Sequence, residues 1–83
     1  MKLIKISAMW CPACLIMRSR ISKLDIGIEQ VEYDYDLDED IVSQYNVGDI
    51  LPVFILEEGN KEVGRLIGEK SEEEFKEFLK GCK

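Results

Sequence analysis

Four stretches of the chain carry the hydrophobic pattern of β-strands. Residues 2–7, KLIKIS, are mostly aliphatic and β-branched and predict a buried strand, as do residues 51–56, LPVFIL. Residues 28–36, IEQVEYDYD, alternate apolar and polar side chains, though imperfectly, and predict a second strand parallel to the first. Residues 61–68, KEVGRLIG, follow the turn EEGN at 57–60, which predicts the returning strand of a hairpin.

A first helix is predicted between the first two strands. Pro12 fits the first helical position, where the missing N–H of proline is not needed. The apolar side chains after it recur at intervals of three and four and form one helical face: Cys14, Met17, Ile21 and Leu24. We expect Asp25 and Gly27 to end this helix.

Two further helices are predicted in the second half of the chain. The shorter covers residues 37–46, with Asp38 as its expected cap and Gly48 after its end. Its apolar side consists of Ile41, Val42 and Tyr45. The last helix follows a capping box formed by Ser71 and Glu74. Its apolar stripe consists of Phe75, Phe78, Leu79 and Cys82.

The predicted element order is therefore β-α-β-α-β-β-α, in one domain that covers residues 1–83. Strands that alternate with helices favour an α/β protein whose parallel-type sheet is covered by helices. The hairpin near the end adds an antiparallel edge to that sheet.

Composition and charge exclude several classes of function. The 83 residues carry a formal net charge of −6, which disfavours nucleic acid and acidic membrane surfaces as partners. The chain has no histidine, so mechanisms built on a Cys–His or Ser–His pair are excluded. The N-terminal MKLIKISA is too short for a signal peptide, and no apolar run approaches the roughly 20 residues that cross a bilayer. We therefore expect a cytoplasmic monomer.

The stretch AMWCPACLIM, residues 8–17, carries the candidate chemistry. Cys11 lies where a strand gives way to a helix, and free N–H groups and the helix dipole favour a negative sulfur there. We expect the pKa of Cys11 to fall below its usual value of about 8.5. Cys14 follows one turn later on the core-facing stripe and should be shielded and less acidic. Cys11 could then attack a partner's disulfide and Cys14 could resolve it, which leaves a Cys11–Cys14 disulfide and needs no bound cofactor.

Other roles for the two cysteines stay open on this pattern alone. A closed zinc site normally needs four ligands, and the chain offers only one further cysteine, Cys82, and no histidine. Two unreactive core cysteines at helical spacing would show the same pattern. We interpret Cys82 as a small apolar residue of the last helix, with a third redox thiol or an intermolecular disulfide as the alternative.

Four features together resemble one superfamily over nearly the whole chain. They are MWCPAC after a short hydrophobic strand, LPVF at residues 51–54, the hairpin, and the amphipathic last helix. This combination resembles the thioredoxin/glutaredoxin superfamily. The resemblance implies a thioredoxin-like fold, with a central four-stranded mixed sheet flanked by helices. It also implies that Cys11 is an exposed nucleophile, that Cys14 is the resolving cysteine, and that the chain is a thiol-disulfide oxidoreductase. Protein disulfides are the expected substrates, and an unidentified reductase or glutathione is the expected electron donor.

The resemblance also assigns substrate-binding roles to neighbours of the cysteines. Pro52 matches a proline whose peptide bond is cis, which implies a cis Leu51–Pro52 bond and a Leu51 backbone that pairs with an extended substrate segment. Alternatively, Pro52 only starts an edge strand. Trp10 matches the tryptophan ahead of the thioredoxin motif. Pro12 stiffens the turn, and Ala13 is small enough for a substrate to approach closely.

Two departures from the superfamily pattern bear on mechanism. Thioredoxins carry a buried acid six residues before the nucleophile, and this chain has Lys5 there. Lys5 is either a strand residue whose stem packs while its amine reaches water, or a charge that lowers a cysteine pKa. The glutathione-binding signs of glutaredoxins are also weak, since no basic residue directly precedes Cys11 and the segment after the hairpin is GRLIGEKS.

A soft-metal binding module is the alternative function. Met9, Cys11 and Cys14 form an M-x-C-x-x-C loop like that of heavy-metal-associated domains, which bind Cu(I) through two thiolates. Those domains run β-α-β-β-α-β and end on a strand, whereas this chain is predicted to end on a helix. A thioredoxin-fold protein that only binds partners is a third hypothesis.

Overall fold

A computed structural model describes residues 1–24 and 27–81 of the chain. Its strands are β1 (Lys2–Ser7), β2 (Glu29–Asp34), β3 (Val53–Glu58) and β4 (Lys61–Ile67). Its helices are α1 (Pro12–Ile21), α2 (Glu39–Ser43) and α3 (Glu72–Gly81). The predicted order β-α-β-α-β-β-α is confirmed.

The strands form one mixed sheet in the spatial order β2-β1-β3-β4. β1 and β2 run parallel, as predicted, with Lys5 opposite Glu32 in the register. β3 is antiparallel to both of its neighbours, β1 and β4. Since β3 is an internal strand, it is covered on both sides, and Val53 through Leu56 are all buried.

The side-chain alternation of β1 and β3 divides the core between the two faces of the sheet. One hydrophobic cluster brings α1 and α3 together on the sheet and consists of Leu3, Met17, Ile21, Phe54, Leu56 and Phe75. The other cluster includes α2 and reaches the cysteines, and it consists of Ile4, Ile6, Ala8, Cys11, Cys14, Val42, Leu51, Val53 and Ile55. The cysteine loop therefore lies at one end of the sheet, over the start of β3.

The predicted apolar face of α1 is confirmed, because Cys14, Met17 and Ile21 are its buried residues. The helix ends earlier than predicted, and Leu24 lies in the following turn, where it packs against the core. Asp25, which we expected to help end the helix, lies outside the described residues. Gly27 has φ of +72°, a left-handed conformation that glycine adopts without strain.

The second helix is shorter than predicted, because acidic side chains organise a turn before it. The carboxylate of Asp34 accepts hydrogen bonds from the backbone N–H groups of Asp36 and Leu37. Asp38 precedes the helix, but its carboxylate accepts from the N–H of Asp34 over 2.8 Å and makes no capping bond. Of the predicted apolar side, Val42 is buried and Ile41 is exposed, which corrects the expectation for Ile41.

The capping box of the last helix is confirmed. The N–H of Glu74 donates to the Ser71 hydroxyl over 3.1 Å, and the Glu74 carboxylate accepts from the Ser71 N–H over 3.4 Å. Phe75 is fully buried, and Phe78 and Leu79 pack at the edge of the same cluster. Cys82, the predicted end of this stripe, lies outside the described residues. Across residues 1–24 and 27–81, none of the helices has the length and apolarity needed to span a membrane.

Candidate active site

Cys11 occupies the N-cap position of α1, where its side chain replaces the usual hydroxyl or carboxylate cap. Its backbone is extended, with φ −94° and ψ 110°, and Pro12 follows at the first helical position. The backbone N–H of Cys14 donates to the Cys11 sulfur over 3.2 Å. A sulfur that accepts this hydrogen bond at the positive end of a helix is placed to carry negative charge.

Cys14 lies one turn further along α1 and points into the core. It is only 6% exposed, and burial raises the pKa of its thiol to about 12, helped by the hydrogen bond with Cys11. The backbone of Ala8 and the charge of Arg18 act in the opposite direction on the same pKa. Cys14 is therefore a neutral thiol at physiological pH, and it needs help to become a nucleophile.

The exposure that the resemblance implied for Cys11 is not observed. Cys11 is 5% exposed, as buried as Cys14, and both belong to the same hydrophobic cluster. Its thiol also lies 3.7 Å from the carbonyl oxygen of Leu51, to which it donates. The two cysteines therefore differ in their hydrogen bonds and not in the exposed fraction of the whole residue.

The segment before β3 faces the cysteines. The Leu51–Pro52 peptide bond is cis, and both residues are buried. Pro52 precedes an internal strand and not an edge strand. The Pro52 carbonyl accepts a hydrogen bond of 2.8 Å from the N–H of Gly68, whose φ is +86°. A side chain at position 68 would also crowd Ile50, because its Cβ would lie 3.3 Å from Ile50 Cγ2.

Trp10 stands beside the cysteines with 60% of its surface exposed. Its indole N–H donates to the carboxylate of Asp36 over 2.6 Å, and its ring packs edge-on against Tyr35 with centroids 6.2 Å apart. Sequence reasoning did not single out Asp36, which it placed at the end of the alternating run IEQVEYDYD, residues 28–36. The alternation of acids and aromatics within that run was the available signal.

Exposed apolar side chains flank the cysteines in sequence. Met9 is 84% exposed, Pro12 is exposed, and Ala13 is half-buried. Ile50 and Ile67 are also exposed, next to Leu51 and Gly68 respectively. Exposed apolar side chains therefore adjoin both the cysteine loop and the segment before β3.

A cavity of about 270 Å³ lies between α1 and the start of the sheet, and Cys14 is part of its wall. Polar and charged side chains line the same cavity, among them Lys5, Ser7, Arg18 and Glu32. Lys5 is half-buried, and its amine donates to the Gln30 side chain over 3.2 Å, in keeping with a strand residue whose amine reaches the surface. Charged side chains therefore lie next to the Cys14 thiol, whose other surroundings are apolar.

The described residues offer little for a metal ion beyond the two thiols. Within residues 1–24 and 27–81, no group of three or more cysteine, aspartate or glutamate side chains is arranged to hold a metal. The last described element is a helix, so the order differs from that of the heavy-metal-associated domains.

Comparison with known proteins gives one consistent result. A family model described as thioredoxin matches residues 1–81. Thioredoxin H2 of Arabidopsis thaliana is 32% identical over 77 residues, in a match that covers 89% of this chain and 57% of that protein. The chain thus spans a little over half the length of this relative.

Solved structures agree at the level of the fold. Oxidised mitochondrial thioredoxin 3 of Saccharomyces cerevisiae superposes with a TM-score of 0.83 at 25% identity, covering 96% of this chain and 76% of that chain. Trxlp of Edwardsiella tarda gives a TM-score of 0.83 at 24% identity, covering 94% and 80% of the two chains. The four-stranded mixed sheet flanked by helices is the fold that these neighbours share.

Proposed function

Because this chain belongs to the thioredoxin family, we propose that it is a thiol-disulfide oxidoreductase that reduces protein disulfides through its C-P-A-C motif. The observation that supports this most directly is the position of Cys11. Its sulfur caps α1 and accepts the Cys14 N–H over 3.2 Å, while Cys14 is held as a buried neutral thiol one turn away. In this proposal the Cys11 sulfur attacks the substrate first, and the Cys14 sulfur attacks Cys11 afterwards.

The proposed reaction has two steps. The Cys11 thiolate attacks one sulfur of a substrate disulfide, and the other substrate sulfur leaves as a thiolate, which gives a mixed disulfide. Cys14 then attacks the Cys11 sulfur, forms the Cys11–Cys14 disulfide and releases the second substrate thiolate. Two electrons pass to the substrate, and a separate donor must reduce the chain again.

The surroundings of Cys11 favour an extended protein segment as the substrate. Leu51 has its backbone beside Cys11, where it could hydrogen-bond an extended chain, and exposed apolar side chains flank both segments. Glutathione is less favoured as a substrate, since no basic residue directly precedes Cys11. We propose that either a dedicated reductase or glutathione returns the electrons, in a reducing compartment such as the cytoplasm.

Disulfide reduction by purified protein tests this function. In an insulin-type assay with a chemical reductant, we expect turnover in the wild type and none in Cys11→Ser. Cys14→Ser should instead accumulate a mixed disulfide with the substrate, because its first step is intact and its second is blocked. Exposed Ser19→Ala is a matched control and should leave turnover unchanged.

The same samples separate the alternatives. Tight stoichiometric Cu(I) binding without turnover would favour the soft-metal module, and neither property would favour a protein that only binds partners. The Cys11/Cys14 reduction potential gives the direction of electron flow. A reduction potential of about −270 mV would indicate a reductant, whereas one of about −120 mV would indicate an oxidant.

A further inference from the structure

Arg18 is the cation that α1 itself brings to the resolving thiol. It follows Cys14 by four residues, so the two side chains lie on the same side of the helix one turn apart. Both line the cavity of about 270 Å³ under α1, and both also line a neighbouring groove of about 500 Å³. Arg18 and Cys14 therefore border the same two spaces.

The position of Arg18 is fixed from the sheet. Its guanidinium donates to the carboxylate of Glu32, which also accepts a hydrogen bond of 3.0 Å from the Ser7 hydroxyl. Glu32 lies on β2 and Ser7 on β1, so a hydrogen bond from the neighbouring strand orients the carboxylate that meets Arg18. An arginine side chain that is 64% exposed would otherwise sample many rotamers.

Charged and titratable groups approach Cys14 from each element around it. They are Cys11 at the N-cap of α1, Arg18 on α1, Lys5 on β1, Glu32, Tyr33 and Asp34 on β2, and Asp38 before α2. The Lys5 amine is bound to Gln30, and Asp34 and Asp38 are engaged by backbone N–H groups of their own turn. Arg18 is the cation whose charge acts on the Cys14 thiol to lower its pKa.

We propose that Arg18, oriented by Glu32, stabilises the Cys14 thiolate during the resolving step and so sets the pH dependence of that step. This inference rests on the proposed function. Arg18 is a positioning residue here, since it acts on the attacking sulfur without touching the substrate. Without the charge of Arg18, the Cys14 thiolate would be a second anion close to the Glu32 carboxylate, in a protein whose net charge is already −6. Both effects would disfavour the thiolate.

The step balances without any further reactant. The Cys14 thiol gives its proton to solvent in the cavity, and the resulting thiolate donates an electron pair to form the bond to the Cys11 sulfur. The bond between the Cys11 sulfur and the substrate sulfur breaks, and its electron pair leaves with the substrate, which then takes a proton from solvent. The two cysteines are oxidised by two electrons, and the substrate is reduced by the same two.

A two-phase reaction with a neutral aromatic disulfide, dithiodipyridine, tests the inference. One equivalent added to the reduced protein releases thiopyridone once when Cys11 attacks and once more when Cys14 resolves the adduct. We expect Arg18→Met to slow the second phase by about threefold to tenfold near neutral pH and to move its pH midpoint up by about half a unit to one unit. The first phase should not change, and the difference should shrink at high salt, because Arg18 is largely exposed.

Matched variants separate charge from structure. Arg18→Lys keeps the charge and should retain most of the wild-type rate, whereas Arg18→Gln should behave like Arg18→Met and serves in its place if that variant is unstable. Lys23→Met removes an exposed positive charge that lies just after α1 and outside the cavity lining, and it should leave both phases unchanged.

Three results would overturn the assignment to Arg18. They are a second-phase pH profile that is the same in Arg18→Met and wild type, an equal slowing of both phases, or a larger slowing in Glu32→Gln than in Arg18→Met. The last would move the role to the carboxylate. If even the wild type gave no first phase, the proposed function would fail with it, so the two failures are distinguishable.

Discussion

The indole nitrogen of Trp10 donates a hydrogen bond of 2.6 Å to the carboxylate of Asp36, 26 residues further along the chain. This bond ties the cysteine loop to the turn between β2 and α2. The Asp36 N–H is in turn bound by Asp34, so the acceptor is itself positioned. A large, exposed aromatic ring is thereby held in one orientation next to Cys11.

Removal of the Asp36 carboxylate should release that ring. We expect Asp36→Ala to change the fluorescence of Trp10, the sole tryptophan, and to raise the KM for a protein disulfide by about threefold to tenfold, in line with one lost hydrogen bond of about 1 kcal/mol. Stability should change little, since the bond is exposed. The control is Asp40→Ala, which removes a different exposed acid, one that lies on α2. Unchanged fluorescence and KM in Asp36→Ala would show that the bond does not hold the ring.

The raised pKa of Cys14 predicts a loss of stability in alkali. The folded protein keeps this thiol protonated up to about pH 12, whereas the unfolded chain ionises it near pH 9.0. The unfolded state therefore releases the proton first, so the contribution of Cys14 is complete below pH 9.0 and is lost as pH rises toward about 12. The test is urea unfolding of both proteins under reducing conditions. We expect the free energy of unfolding of wild type minus that of Cys14→Ala to fall across that pH range. Parallel curves for the two proteins would contradict the assigned burial effect.

Subtracting the values for Cys14→Ala also cancels the contribution of other groups that titrate in the same pH range. Burial, followed by the nearby Glu57, raises the pKa of Tyr45 as well, and this tyrosine would add to any alkaline loss of stability. Because Tyr45 is present in both proteins, its effect cancels in the difference.

The sequence predicted those parts of the fold that follow from local rules. The aliphatic, β-branched composition of residues 2–7 and the spacing of Cys14, Met17 and Ile21 are local signals, and the strand and the buried helical face that they predict are both observed. The capping box of Ser71 and Glu74 is equally local, since both partners lie within one turn.

The features that the sequence did not predict depend on contacts between distant residues or on a competing local hydrogen bond. Asp38 looked like a helix cap, but its carboxylate binds the Asp34 N–H, an alternative that short acidic side chains often take. The burial of Cys11 depends on contact with Leu51, 40 residues away, which no local pattern encodes. The Arg18–Glu32 pair likewise joins a helix to a strand whose register is known only once the sheet is assembled.

Phe75 should be the most sensitive position in the last helix. It is fully buried, and its ring meets Phe54 edge-on with centroids 5.1 Å apart, so it joins α3 to the central strand. We expect Phe75→Ala to lower the free energy of unfolding by about 3–5 kcal/mol. Phe78→Ala should cost clearly less, because Phe78 lies at the edge of the same cluster. Urea unfolding measures both, and equal losses would contradict the packing described.

Lys5 stands where thioredoxins carry a buried acid, and we expect its neighbour across the sheet, Glu32, to be the reason for the exchange. Lys5 is opposite Glu32 in the parallel register of β1 and β2, so an acid at position 5 would place like charges side by side. We expect Lys5→Glu to lower the free energy of unfolding by about 1 kcal/mol relative to Lys5→Met, which keeps the stem and removes only the charge. Lys5→Met itself should stay within about 0.5 kcal/mol of wild type, since the amine makes one exposed bond to Gln30. Urea unfolding at low and high salt measures the difference, which should narrow as salt screens the repulsion. If Lys5→Glu proved as stable as Lys5→Met at low salt, Glu32 would not be the reason for the lysine.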